Sequence, residues 1–251
     1  MSSETILATD GLTMEFKGFR AVDGVALDVR RGSIHALIGP NGAGKTTCFN
    51  LLSKFLTPTR GRILYEGRDI TGLKPAEVAR LGLVRSFQIS AVFGHLSVLE
   101  NIRVALQRRK GASYAFWRSE RTLDELDPPS AELADRVGLG EFLSTPAAEL
   151  PYGRKRSLEI ATTLALDPPM MLLDEPMAGM GREDVARISG LIRKVAKNRT
   201  VLMIEHNLSV VADLSDIITV LRGGEILAEG PYSTVSQDPA VREAYMGTGH
   251  G

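Results

Sequence analysis

The chain has 251 residues, 43% hydrophobic and 24% charged, the make-up of an ordinary soluble globular protein with length for a real core. Thirty basic residues balance thirty acidic ones, which argues against a general nucleic-acid binder held by bulk charge. A single cysteine, Cys48, rules out an internal disulfide framework, and the longest apolar runs, such as MMLL at 170–173, fall far short of a bilayer span.

The N-terminus, MSSETILATDGL, lacks a basic start followed by an apolar run, so no signal peptide is expected. The first ninety residues read mostly as strands: LTMEF (12–16), VALDV (25–29), IHALI (34–38), RILYEG (62–67) and LVRSF (83–87). One helix interrupts them, from near Gly44 to about Lys54. From about 95 to 165 the pattern is helical, and Ser97 with Glu100 predicts a capping box. Pro128 and Pro129 are expected to break the next helical stretch. After Pro168 the chain alternates: strand 170–174, helix 182–197, strand 200–204, a short helix, and strands 217–221 and 225–229. The tail DPAVREAYMG reads as a short terminal helix. Such alternation predicts an α/β fold, a mostly parallel sheet with helices on its faces.

The segment IHALIGPNGAGKTTCFNLL carries the strongest chemical signal. Gly39, Pro40, Asn41, Gly42, Ala43, Gly44, Lys45 and Thr46 spell GxxxxGK(S/T), between an apolar strand and a helix that also holds Thr47. Glycines let backbone N–H groups wrap a phosphate, and the helix start adds a favourable dipole. Lys45 supplies a point charge to the terminal phosphates and Thr46 a hydroxyl for Mg²⁺. MMLLDEP (170–176) is a buried-type strand ending in two acids: Asp174 suits a magnesium ligand and Glu175 the polarisation of an attacking water. His206 and Gln88 each follow a strand and carry weight only as members of this set.

In chain order, the phosphate loop, Gln88 after a strand, the short glycine motif at 151–154 opening a helix, LLDEP and His206 after a strand resemble the ATP-binding cassette subunits of ABC transporters over nearly the whole chain. The resemblance implies a P-loop NTPase core with a β-rich N-terminal subdomain (1–93 and 166–251) and a helical subdomain (94–165). It implies Mg-ATP as ligand, with Gln88 a catalytic and magnesium-contacting residue and His206 a γ-phosphate contact. Phe16 aligns with the aromatic that stacks on adenine, with a core phenylalanine as the alternative. Pro151, Tyr152, Gly153 and Arg154 align with the signature Leu-Ser-Gly-Gly-Gln, which faces the ATP of a second, head-to-tail subunit. Pro151 stands where the signature has serine, a residue well suited to the first helical position. Gly181 stands where many cassettes have aspartate.

The segments LPYGRKRSLEIA, DEPMAGM, IEHNLSVV and AVREAYMG look most like the ATP-binding subunits of branched-chain amino acid importers. That likeness implies transmembrane permease partners, a solute-binding protein reached through them, and a place on the cytoplasmic face of a bacterial inner membrane. The alternatives are the ATPase of a lipopolysaccharide exporter and a soluble non-transport cassette. Soluble cassettes typically carry two cassettes or a long coiled-coil insertion, and this chain has neither. A GTPase is disfavoured, since no Asn-Lys-x-Asp motif occurs.

Gly153→Asp should abolish ATP turnover, by placing charge and bulk where phosphate oxygens approach or by denying a backbone geometry only glycine adopts cheaply. Pro151→Ser restores a hydroxyl and should be tolerated. Steady-state ATP hydrolysis with the membrane partner separates the two, and equal inactivity would refute this reading of Pro151.

Overall fold

The structure, a computed structural model, describes residues 4–86, 92–109 and 125–246. In chain order it runs β1 (Thr5–Phe16), β2 (Phe19–Val25), β3 (Asp28–Arg30), β4 (Ile34–Ile38), α1 (Lys45–Leu52), β5 (Arg60–Tyr65), β6 (Arg68–Asp69), α2 (Pro75–Arg80) and β7 (Leu83–Arg85). There follow α3 (Val98–Arg109), α4 (Asp127–Arg136), α5 (Tyr152–Ala165), β8 (Met170–Asp174), α6 (Arg182–Ala196), β9 (Thr200–Ile204), α7 (Leu208–Leu214), β10 (Ile217–Arg222), β11 (Glu225–Gly230), α8 (Tyr232–Val235) and α9 (Pro239–Met246). Packing groups Met1–Val84, Pro169–Pro176 and Ile192–Gly251 into one unit, and Arg85–Pro168 with Met177–Leu191 into a second, largely helical one.

The first unit holds two sheets. One has the order β2-β1-β5-β6, with β3 also pairing β1. The other runs β11-β10-β4-β9-β8-β7; within it β10, β4, β9 and β8 are parallel and β11 is antiparallel to β10. Strands β4 and β9 are buried at every residue, and β8 at all but Asp174. That is why they read as nearly continuous apolar runs, His35 apart, rather than alternating ones, and why their sequence-predicted bounds agree with the structure. The core is continuous from β1 (Ile6, Leu7, Leu12) through α1 (Phe49, Leu51, Leu52) to the parallel strands (Leu37, Leu172, Leu202). Cys48 is buried in it, and desolvation pushes its thiol up to about 12.

Elsewhere the boundaries shift for identifiable reasons. The expected strand 25–29 is two strand ends joined by a bend. The Thr9 hydroxyl donates to Val25 O and accepts from Leu27 N–H, holding the chain where β1 exchanges one partner for the other. The expected strand 62–67 stops at Tyr65, because Glu66 and Gly67 take positive φ in a turn. Among the described residues, Pro128 and Pro129 do not interrupt a helix. They sit in the first turn of α4, where a missing N–H costs nothing. The Ser97–Glu100 capping box forms as expected, each backbone N–H donating to the other's side chain. Residues 177–191, assigned from sequence to the core, pack with the helical unit.

A polar chain runs from His35 and Thr219, buried on the β4–β10 pair, to the exposed Glu229 of β11. His35 Nε2 is 2.7 Å from Thr219 Oγ1, which lies 2.5 Å from Glu229 Oε2. Since the carboxylate can only accept, Thr219 donates to it and His35 donates to Thr219. That leaves His35 Nδ1 buried without a hydrogen-bond partner. Burial, with a smaller push from Arg30, lowers the imidazole from 6.5 to about 4. Between those values the unfolded chain binds more protons than the folded one, so stability is lost as pH falls through that window. Chemical denaturation should show a loss of about 2 kcal/mol from this residue between pH 7 and pH 4.5. A His35→Gln variant should lack that component, and an identical pH slope in both proteins would refute it.

Candidate active site

The phosphate-loop sequence begins where β4 leaves the sheet. Gly39 is buried with φ 148°, and a Cβ there would lie 2.2 Å from Leu221 O of β10. Gly44, at the N-cap of α1, has φ 98°, and its Cβ would meet Ala21 O at 2.3 Å. Both positions need glycine twice over, for backbone conformation and for space. The turn closes with Ala43 N–H donating to Pro40 O, and Gly224 N–H donating to Ala43 O. Asn41, Gly42 and Thr46 are exposed, while Thr47 is half-buried.

The first turn of α1 has neither a side-chain cap nor an acidic residue. Two other helix starts in the unit are served: Glu77 accepts from Lys74 N–H at α2, and Asn207 Oδ1 accepts from Ser209 and Val210 N–H at α7. The backbone donors of α1 thus face outward without a carboxylate of their own, the condition for binding an anion. Lys45, the first residue of α1, turns its ammonium back along the loop and donates to Gly39 O at 2.7 Å and Pro40 O at 2.9 Å. Burial lowers its pKa, and the charge of Glu175 opposes that shift. A desolvated cation, an uncapped helix start and a glycine cradle converge on one concave turn. The residues present fit a nucleotide phosphate.

Asp174 ends β8 and Glu175 follows with φ 46°, in the left-handed region that a non-glycine residue occupies only when its surroundings hold it there. Glu175 N–H donates to Ile204 O at 3.0 Å, tying the end of β8 to the end of β9. His206 comes off β9, and its Nδ1 lies 4.0 Å from Glu175 Oε2. Both side chains remain substantially exposed. Behind them the buried Glu205 carboxylate accepts from the backbone N–H groups of His206 and Asn207, an anchor that the sequence pattern did not flag. A second unflagged neighbour is Tyr245 of α9. Its hydroxyl faces the Gly39 backbone N–H, which offsets part of the burial that pushes it up to about 12.

Phe16, at the end of β1, is 42% exposed and pairs in register with Phe19, which is 67% exposed. The core alternative for Phe16 therefore does not hold. Gln88 lies outside the described residues. In the second unit, Pro151 is the N-cap of α5 with φ −55° and ψ 151°, so it stands one residue before the first helical position expected for it. Its carbonyl accepts from Arg154 and Lys155 N–H. Tyr152 is exposed and Gly153 buried. The basic run is partly spoken for within the unit. Arg154 donates to Gly138 O and lies over the Phe142 ring, while Arg156 pairs with Glu159 and Tyr152. Gly153 does not have a positive φ, so the special backbone geometry expected for it is absent.

A mostly parallel sheet with a phosphate loop at a strand end, an Asp-Glu pair at the end of another and a histidine after a third defines a P-loop nucleotide-binding ATPase. Residues 22–178 match the family model for ABC transporters, and the chain belongs to that family as an ATP-binding cassette. Residues 225–251 match the model for the branched-chain amino acid ATP-binding cassette transporter. The chain is 40% identical to the high-affinity branched-chain amino acid transport ATP-binding protein BraF of Pseudomonas aeruginosa, over 98% of this chain and 99% of that protein. It is 37% identical to the protein LivG of Escherichia coli K12, described in the same words, over 98% and 99% of the two chains. Among solved structures it resembles the ADP conformation of MJ1267, an ATP-binding cassette of an ABC transporter, with a TM-score of 0.83 at 31% identity, over 97% of this chain and 99% of that one.

The two kinds of glycine in the loop can be told apart. Gly42 has φ 80° but open space around a Cβ, so Gly42→Ala should cost about 1–2 kcal/mol, the left-handed backbone penalty alone. Gly39→Ala adds a collision with a strand carbonyl and should cost at least about 3 kcal/mol. Urea denaturation of both variants checks the difference, and equal losses would mean that the Leu221 contact relaxes freely.

Proposed function

We propose that this chain is the ATP-hydrolysing motor subunit of an ABC importer for branched-chain amino acids or related small polar solutes. The observation that carries it is the convergence of the uncapped α1 start, Lys45 and the Glu175–His206 pair in one unit, in a chain 40% identical to BraF over nearly its full length. That likeness favours amino acid import over lipopolysaccharide export or a soluble cassette.

In this reading Gly39–Lys45 hold the β- and γ-phosphates through backbone N–H groups and the Lys45 ammonium, which exchanges loop carbonyls for phosphate oxygens. Phe16 offers an exposed face for adenine. Mg²⁺ is usually held by one or two carboxylates with much of its shell from phosphates and water; here the Asp174 carboxylate, the Thr46 hydroxyl and Gln88 would hold it, and it would neutralise charge developing on the phosphates. Glu175 orients a water for in-line attack and takes its proton as the bond from the γ-phosphorus to the bridging oxygen breaks, leaving ADP and phosphate. His206, 4.0 Å from Glu175, donates to the γ-phosphate oxygens. The start of α5, from Pro151 to Arg154, completes the site of a second subunit arranged head to tail.

No helix among the described residues is long and apolar enough to cross a membrane. In this reading, supported by the likeness to transport ATP-binding proteins, the motor acts through transmembrane permease subunits, supplied in turn by a solute-binding protein, at the cytoplasmic face of the inner membrane.

Glu175→Gln keeps shape and hydrogen bonding but loses the base. It should bind ATP normally, hydrolyse it about 100-fold or more slowly, and accumulate as an ATP-bound dimer by light scattering. In cells lacking the chain, wild type should restore leucine uptake and Glu175→Gln should not. Parental turnover in the variant would remove Glu175 from the base role; active ATPase without restored uptake would reject the cargo.

A further inference from the structure

Gly153 is a glycine that its backbone does not explain. It lies in the first turn of α5 without a positive φ, so no special backbone conformation calls for glycine there. The explanation is across the cleft. A Cβ on Gly153 would lie 2.4 Å from Asp184 Cγ and 2.5 and 2.7 Å from its two oxygens. Asp184 belongs to the first turn of α6, three residues past Gly181, and its carboxylate is also paired with Arg187 one turn further on. With Pro151 and Arg154 on one wall and Gly181, Asp184 and Arg187 on the other, the two segments line a cleft of about 330 Å³ inside the second unit.

The electrostatics favour the same contact. The start of α5 has no side-chain cap and no acid of its own in its first turn, and Pro151 has neither a hydroxyl nor an N–H to offer. Asp184 brings a negative charge against this positive helix end, an arrangement that is favourable by its direction alone. The start of α6 does not need Asp184 for its own dipole, because Glu183 is also there.

We propose that Asp184 is a positioning residue. It seats the Gly153 turn of α5 on the segment that follows Asp-Glu-Pro, so that the two present one preset surface to the nucleotide of the other subunit. It does so where Gly181 offers no side chain. This assignment rests on the head-to-tail site proposed above. Asp184 touches no substrate in it; its effect is on how often the α5 start is in register for catalysis.

Steady-state ATP hydrolysis by the full chain tests it. Asp184→Ala should lower kcat about tenfold, change KM for ATP less than twofold and leave Tm within a few degrees of wild type. Asp184→Asn, which keeps the shape, should recover at least half of the lost activity. Gly153→Ala should cost at least tenfold in the wild-type background and distinctly less on top of Asp184→Gly, because the atom it collides with is gone. An equal loss from Gly153→Ala in both backgrounds, or an Asp184→Ala variant with lowered Tm and unchanged kcat, would overturn the assignment while leaving the motor reading intact. Absence of ATP turnover in wild type together with absence of an ATP-dependent dimer in Glu175→Gln would overturn both.

Discussion

The nucleotide end of the protein depends on one close approach. Gly39 leaves β4 so near the carbonyl of Leu221 that a methyl group would not fit. The loop can turn there because β4 is held in register between β9 and β10 by parallel pairing on both sides. The same pairing carries Leu221 to the point of contact and Ile204 to its bond with Glu175. Loop, acid pair and histidine are therefore not separately placed. They are strand ends of one sheet, and the sheet's register sets their spacing. Burial of β4, β8 and β9 holds the register, since a slipped parallel strand would drag an apolar run out of the core.

Against that frame the charges are arranged to be unfinished. Several helix starts in this chain bring their own acid or cap, at α2, α3, α6 and α7. The starts of α1 and α5 do not. At α1 a lysine is held in the turn, its charge directed at backbone carbonyls that are weak substitutes for phosphate oxygens. At α5 the neighbouring carboxylate of Asp184 is supplied from another helix and shared with Arg187. The α1 end keeps positive potential available in a form that an incoming anion can claim without first unfolding anything, whereas at α5 Asp184 already answers part of it.

The sequence was most legible where one physical effect dominates. β4, β8 and β9 are buried on both faces, and their apolar runs mark their ends to the residue. The phosphate loop was legible because its glycines and lysine are required by chemistry and sterics together. The capping box at Ser97 was local and read correctly. Two of the misses turn on a partner distant in sequence and one on a helix boundary. The bend at 26–27 needs the Thr9 hydroxyl, the prolines of α4 are harmless only once the helix start is known, and Gly153 answers to Asp184 rather than to its own dihedrals. Phe16 read equally well as core or platform because alternation in β1 stops predicting burial at its exposed end. Glu205 and Tyr245 gave no signal, being common residues whose meaning is a contact.

The position of Cys48 has a practical consequence. It is the chain's one cysteine, fully enclosed behind the phosphate loop, with a thiol that burial keeps protonated far above neutral pH. Thiol chemistry requires the thiolate and a path to it, and Cys48 offers neither while the protein is folded. The native chain is in effect silent to maleimides and to mild oxidation. A cysteine introduced on the surface would be a single addressable point, so fluorophores or spin labels could be attached without first removing the natural residue from the core.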